Sequence, residues 1–178
     1  MTEKAESISK EIREISEKGR EGTKSKFLVF DLVDENYGVP LSSVKEVIGL
    51  TEITKVPNVP EFFKGLINLR GKIISVIDLR TKLKLPSTEY EDKKTTIIIA
   101  EIDDFTIGTV VDDVREVANF DTGQMEHGLD IQSKVGREFI TGVAKTDGKK
   151  LTLLLDIGKV LSVEEMSLLR SQTQQKAA

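Results

Sequence analysis

The sequence contains no cysteine and a single histidine, His127. Without cysteine there are no disulfides, no thiolate nucleophile and no cysteine-ligated zinc or iron–sulfur centre. The absence also fits a cytoplasmic protein. With one histidine and no cysteine, no second His or Cys can join His127 in a zinc site. His127 itself sits in the polar stretch QMEHGLD, where a lone histidine is usually solvated. Long apolar runs are missing too. No segment approaches the ~20 apolar residues of a membrane helix, and the opening MTEKAESISKEI lacks the apolar stretch of a signal peptide. Nor is positive charge in excess. A formal net charge of −4 argues against a nucleic-acid or anionic-membrane partner, while the missing apolar segment argues against direct membrane insertion.

The motifs of catalysis are missing as well. There is no G-x-S-x-G and no G-x-G-x-x-G. The stretch from Gly142 to Lys150 imitates a phosphate loop but has one residue too many between its glycines, and Lys150 stands where a magnesium-binding hydroxyl belongs. The acidic pairs Asp103–Asp104 and Asp112–Asp113 are adjacent residues. On a strand they point to opposite faces and do not converge as a dyad, and Asp103–Asp104 reads as turn chemistry. No calcium-loop spacing occurs. The expectation is a protein without catalytic residues, cofactor or metal.

What is present is enough to fold. Hydrophobic residues make up 38% of 178, sufficient for the core of one ordinary domain or two small ones. Residues 1–25 stand apart, rich in Glu, Lys and Ser. Ala5, Ile8, Ile12 and Ile15 lie at helical spacing, which fits a marginal or docked helix; a solvated tail fits the thin stripe equally well. From Lys26 the pattern turns to β. Hairpins are expected around Asp34–Asn36, Arg70–Gly71, Asp103–Asp104 and Asp147–Gly148. PEFFKG reads as one helical turn closed by Gly65, residues 81–94 as a polar connection broken at Pro86, and residues 120–138 as a loop. Ser162 and Glu165 have capping-box spacing and open a C-terminal helix through MSLLRS.

The chain also repeats itself. Residues 37–47, YGVPLSSVKEV, align with residues 107–117, IGTVVDDVREV, sharing Gly-x₅-Val-basic-Glu-Val. Gly65 aligns with Gly142, Gly71–Lys72 with Gly148–Lys149, and Asp78–Leu79 with Asp156–Ile157. Each copy has roughly five strands, enough for a small barrel. One copy of about 60 residues buries little alone, so two copies are expected to share a core and leave a groove at their seam. Arg70 has no counterpart in the second copy, where Asp147 stands in its place. If the turn needed only hairpin chemistry, Asp-Gly would serve in both. The difference points to a task specific to the first copy.

The run GLINLRGKIISVIDLR, residues 65–80, closely resembles the signature of CheW-type chemotaxis coupling proteins. FLVFDLVDENYGVPLSSVKEVI, TTIIIAEIDDFTIGTVVDDVREV and SVEEMSLLRS extend the resemblance over nearly the whole chain. It implies a mainly β fold: two intertwined five-stranded SH3-like β-barrel subdomains, with a C-terminal helix and a marginal N-terminal helix. The expected division is residues 1–25 as an extension, 26–165 as the two barrels (roughly 26–90 and 91–160, exchanging terminal strands), and 161–178 as helix and tail. It implies a non-catalytic adaptor joining chemoreceptors, through their cytoplasmic hairpin tip, to the regulatory domain of the histidine kinase CheA. Such an adaptor sits at the inner face of the membrane through receptor arrays. Arg70, with Asn68, Leu69 and Gly71, falls in the family's coupling turn, and Glu46 at its acidic position, so Glu46 and Arg70 are expected to approach. Val44 and Ile48 are expected to be exposed beside Glu46 as an apolar patch. Two other readings stand beside this one. A CheV-type scaffold would add a receiver of ~120 residues, for which the chain has no room. A small-ligand binder at the seam would need converging polar groups that the sequence does not offer.

Overall fold

A computed structural model describes residues 2–18, 26–86, 89–91, 93–127, 137–145 and 150–177. The chain begins with helix α1 (Thr2–Glu17), then runs through β1 (Lys26–Leu32), β2 (Glu35–Pro40), β3 (Val44–Gly49), β4 (Phe63–Leu69) and β5 (Lys72–Asp78). A short helix α2 (Leu79–Lys82) leads to β6 (Thr96–Ile102), β7 (Phe105–Val111), β8 (Asp113–Asn119) and the two-residue β9 (Met125–Glu126). The chain closes with β10 (Ile140–Lys145), β11 (Leu151–Leu155), α3 (Ile157–Val160) and α4 (Val163–Ala177).

The strands form two sheets, ordered β8-β1-β2-β11-β10-β9 and β3-β6-β7-β5-β4. Written in terms of the repeat, the two orders are the same apart from β9. Each sheet takes its opening hairpin from one copy, and its third strand and closing hairpin from the other. The copies are therefore intertwined through their opening hairpins. In both sheets the two contributions meet at a parallel pair, β2 with β11 and β7 with β5, while the other pairings are antiparallel. Beyond β3, Thr54 exchanges two backbone bonds of 2.8 Å with Leu66 of β4, which ties the two edges of the second sheet together.

This weave explains why β1 and β6 carry the consecutive apolar runs FLVF and IIIA instead of alternating. Strand side chains alternate between faces, and both faces of these strands are covered. Leu28, Phe30 and Leu32 of β1, with Ile98, Ala100 and Ile102 of β6, join one large cluster that draws on both sheets. Phe27 and Val29 face a small cluster confined to the first sheet and its flanks. Ile97 and Ile99 face another, confined to the second. The seam holds the main core, and each barrel keeps a small interior of its own.

The helices show where local sequence signals succeed and fail. Ser162 and Glu165 form the expected capping box, with Glu165 N–H donating to Ser162 Oγ (3.1 Å) and Ser162 N–H to Glu165 Oε2 (2.8 Å). The helix they open extends past MSLLRS to Ala177. Residues 79–82 form a helix whose last two residues were expected in the polar connection 81–94: Asp78 Oδ1 accepts from Thr81 N–H, and Leu79 and Leu83 are buried. Residues 60–65 are not a helical turn. Pro60–Phe62 turn directly into β4, and Gly65 lies inside that strand at a register shift, with φ +144°. A Cβ there would stand 2.1 Å from Thr54 O, so only glycine admits the Thr54–Leu66 crossing. Within residues 120–138, the described part contains two 3₁₀ turns and β9. The expected Asp147–Gly148 turn lies outside the described residues.

Candidate functional site

The turn joining β4 to β5 has positive φ at both central residues, 51° at Arg70 and 84° at Gly71. This is the handedness that a two-residue hairpin needs to match strand twist. A left-handed backbone costs arginine some stability, and Asn68 offsets part of it by accepting the Gly71 N–H at 2.9 Å through Oδ1. The turn aims the guanidinium back at β3. Arg70 Nη1 donates to Glu46 Oε1 at 2.6 Å and Nη2 to Oε2 at 2.8 Å, a bidentate pair.

The two partners are unequally placed. The Arg70 side chain is 72% exposed and Glu46 21%, so Glu46 forms the floor and Arg70 the outer surface. The Arg70 hydrogen bonds hold the Glu46 carboxyl below its ordinary range, against the opposing effect of burial, with Arg13 adding a smaller attraction. The same bonds raise Arg70 above its usual value. A fixed charge pair of this kind can orient a docking surface and select against wrongly charged partners.

The apolar neighbours are arranged differently from the expectation. Val44 is buried, only 6% exposed, and joins the large core cluster. The cause is a register shift in the β3–β6 ladder between Val44 and Glu46. Lys45 is the extra residue of a bulge, so Val44 and Val47 face the same side and both are buried. Ile48 and Leu69 are half-buried and pack on the interior cluster of the second sheet. No free apolar patch built on Val44 exists here.

The N-terminal helix, expected as marginal or docked, docks and forms the other wall of this site, though its place on β3 was not foreseen. Helix α1 packs along β3 and touches β8. Ser9, Arg13, Lys45, Glu46, Ile48 and Arg70 are among the residues lining a groove of about 480 Å³ between them. Ser9 lies on the same face as Ala5, Ile8 and Ile12, all four buried. A polar residue inside an apolar helical stripe was the available signal. His127 lies far from this region in the fold's order: it is exposed beside β10, its Nδ1 2.8 Å from Thr141 O. Among the described residues no group of three or more metal-ligating side chains converges. No described helix is long and apolar enough to cross a membrane.

Two barrels woven through exchanged hairpins, with a fixed charge pair on an exposed turn, have the architecture of an adaptor-type module. The comparisons with known proteins agree. Residues 26–165 match the family model described as CheW-like domain. The chain is 34% identical to the chemotaxis protein CheW of Klebsiella aerogenes over 154 residues, 86% of this chain and 92% of that protein. It is 33% identical to CheW of Thermotoga maritima over 141 residues, 79% and 89% of the two chains. The crystal structure of the scaffolding protein TtCheW from Thermoanaerobacter tengcongensis superposes with a TM-score of 0.72 at 37% identity, covering 79% of this chain and 94% of that one. The chain belongs to the CheW family and is a non-catalytic adaptor of chemotaxis signalling.

Proposed function

We propose that this adaptor couples chemoreceptors to the histidine kinase CheA, and that the first-copy hairpin carries one of the two contacts. The observation that carries the reading is the Arg70–Glu46 pair. Its geometry is fixed at both ends, by the Asn68-supported turn and by the half-buried Glu46, while most of the Arg70 side chain faces solvent. Arginine so presented is a common anchor in protein interfaces. The proposed contact surface is Arg70, Glu46, Asn68, Leu69 and Gly71, with Ile48 at its rim; Val44 supports it from beneath. The partners on this reading are the cytoplasmic hairpin tip of the receptor and the regulatory domain of CheA. Receptor arrays would hold the adaptor at the inner face of the membrane.

The test is reconstitution of purified CheA and a receptor fragment, scored by kinase activity with and without this chain. Receptor-dependent activity should require the chain. Pull-downs with Arg70→Glu should lose at least one of the two partners while the circular-dichroism spectrum stays unchanged. Unaltered capture of both partners by Arg70→Glu would remove the turn from the interface. Capture of neither partner by the wild-type chain would defeat the coupling reading altogether.

A further inference from the structure

Strand β3 ends the second sheet, so one of its edges has no neighbouring strand. That edge is covered by α1, and the cover is specific. The Ser9 hydroxyl donates to Val47 O at 2.7 Å and accepts from Val47 N–H at 2.9 Å. One side chain thus supplies both bonds that a paired strand would give. Ala5, Ile8, Ser9 and Ile12 are buried and stand at i, i+3, i+4 and i+7, the spacing by which a helix seats in a groove. Because β3 belongs to one sheet and β8 to the other, α1 lies across the seam, clipped at its first turn by Lys4 to Asp113 at 3.0 Å. Arg13 and Ser9 line the same groove as Glu46 and Arg70. That groove runs beside α1, while the strip along β3 and β8 beneath α1 already holds a helix.

Two features argue that this helix can leave. The family match begins at residue 26, and every strand of both sheets lies C-terminal to α1. Ala5, Ile8 and Ile12 reach the main core cluster, but the charged groups α1 sets against the body are held loosely: Lys4, paired with Asp113, is 45% exposed, and Glu6 and Arg13 only line the groove. A 16-residue helix with so thin an apolar stripe is marginal by itself and depends on the surface beneath it for its order.

We infer that α1 is a built-in competitor: it occupies a helix-docking strip across β3 and β8, and an amphipathic partner helix with anchors at the same spacing displaces it. This rests on the coupling reading above, whose receptor partner is a helical hairpin. Docking of α1 lowers the competent fraction of the chain and weakens apparent affinity in proportion. The alternative is that α1 only shields the strand edge from aggregation, in which case loosening it leaves partner affinity unchanged.

The experiment uses the full chain and a purified chemoreceptor cytoplasmic-tip fragment. Hydrogen exchange is followed with and without saturating fragment. Residues 5–15 should lose protection in the complex while β6 and β7 keep theirs. Retained protection of α1 in the saturated complex overturns the inference. In parallel, the full chain carrying Ile12→Asp, which loosens α1, is titrated calorimetrically with the same fragment. It should bind about tenfold tighter, as expected if roughly one molecule in ten is open at rest. Ser9→Ala, a milder change, should move affinity in the same direction and keeps the test open should Ile12→Asp unfold. Equal or weaker binding by a folded variant overturns the competitor role and leaves the coupling function standing. No binding by wild type or variant overturns both.

Discussion

Arg70 and Glu46, separated by 24 residues in sequence, meet in a two-bond carboxylate–guanidinium pair that joins the tip of one hairpin to the flank of β3. The pair is an orienting device more than a source of stability, since exposed ion pairs contribute little to folding. Arg70→Lys should therefore leave the melting temperature nearly unchanged. Lysine keeps the charge but lacks the planar fork. Binding to whichever partner reads the turn should weaken about fivefold to tenfold, on the order of 1 kcal/mol. Wild-type affinity for the lysine variant, measured calorimetrically, would mean that charge alone matters.

Glu46 also makes a pH prediction. Its carboxyl is held below the ordinary glutamate value of 4.5, first by the Arg70 hydrogen bonds. A group whose folded pKa is depressed stabilises the fold above its unfolded pKa. That contribution is lost as pH falls through the folded value. The difference in melting temperature between wild type and Glu46→Gln should hold constant from neutral pH down to the ordinary glutamate range. Below that range it should shrink. A difference that grows on acidification would reverse the assigned sign.

Glycine requirements differ sharply between the two ends of the same hairpin. Gly65→Ala would drive a Cβ to 2.1 Å from Thr54 O at φ +144°. It should cost at least about 3 kcal/mol. Gly71→Ala meets nothing within 4 Å and only bears the penalty of φ +84°, roughly 1 kcal/mol. Urea titrations of both variants would check the ranking. Equal losses would show that the Thr54–Leu66 crossing yields easily.

These two glycines also show what sequence could reveal. The Arg70–Gly71 turn was legible because its chemistry is local: two residues with positive φ between apolar runs. Gly65 was misread as a helix end because its reason is Thr54, brought near only by the fold. Val44 was misplaced for a similar cause. Alternation predicts faces only until a bulge intervenes, and nothing in VKEVI marks Lys45 as the extra residue. The spacing of Ala5, Ile8 and Ile12 was visible, but whether it found a surface depended on the exposed edge of β3. Self-comparison found the repeat, yet the interleaving of its copies is a long-range property. The helix at 79–82 was overlooked although Asp78 and the Leu79–Leu83 spacing announced it.

The C-terminal helix gives a direct stability test. Burial disfavours ionised Glu165, but Lys82 and the Ser162 N–H outweigh it and hold the carboxyl below its ordinary range. Helix α4 is also tied to β5, where the buried Ser75 hydroxyl donates to Leu169 O at 3.0 Å. Ser162→Ala removes the cap on Glu165 N–H and should cost about 1 kcal/mol. For a chain of this size that is roughly 2–4 °C in melting temperature. An unchanged Tm would mean the first turn of α4 contributes nothing to the fold.

Asp112 stands where the chain crosses from β7 in one sheet to β8 in the other. Its Oδ1 takes the Arg80 Nε–H, and its Oδ2 accepts the Val33 N–H at 2.7 Å. Arg80 is only 5% exposed and lies over the Tyr90 ring, 4.7 Å from its centroid. One carboxylate thus joins α2, the β1–β2 turn and the crossover. Removing one partner of a largely buried ion pair costs more than the pair contributes net, because the other charge stays desolvated and loses its hydrogen-bonded counter-ion. Asp112→Ala should therefore destabilise by about 3 kcal/mol. Asp112→Asn retains an acceptor for Val33 and should fall between that variant and wild type. Urea midpoints should follow this order with an unchanged slope, since both variants still unfold the same surface. A loss below about 1 kcal/mol for Asp112→Ala would assign the joining of the sheets to apolar packing at the seam alone.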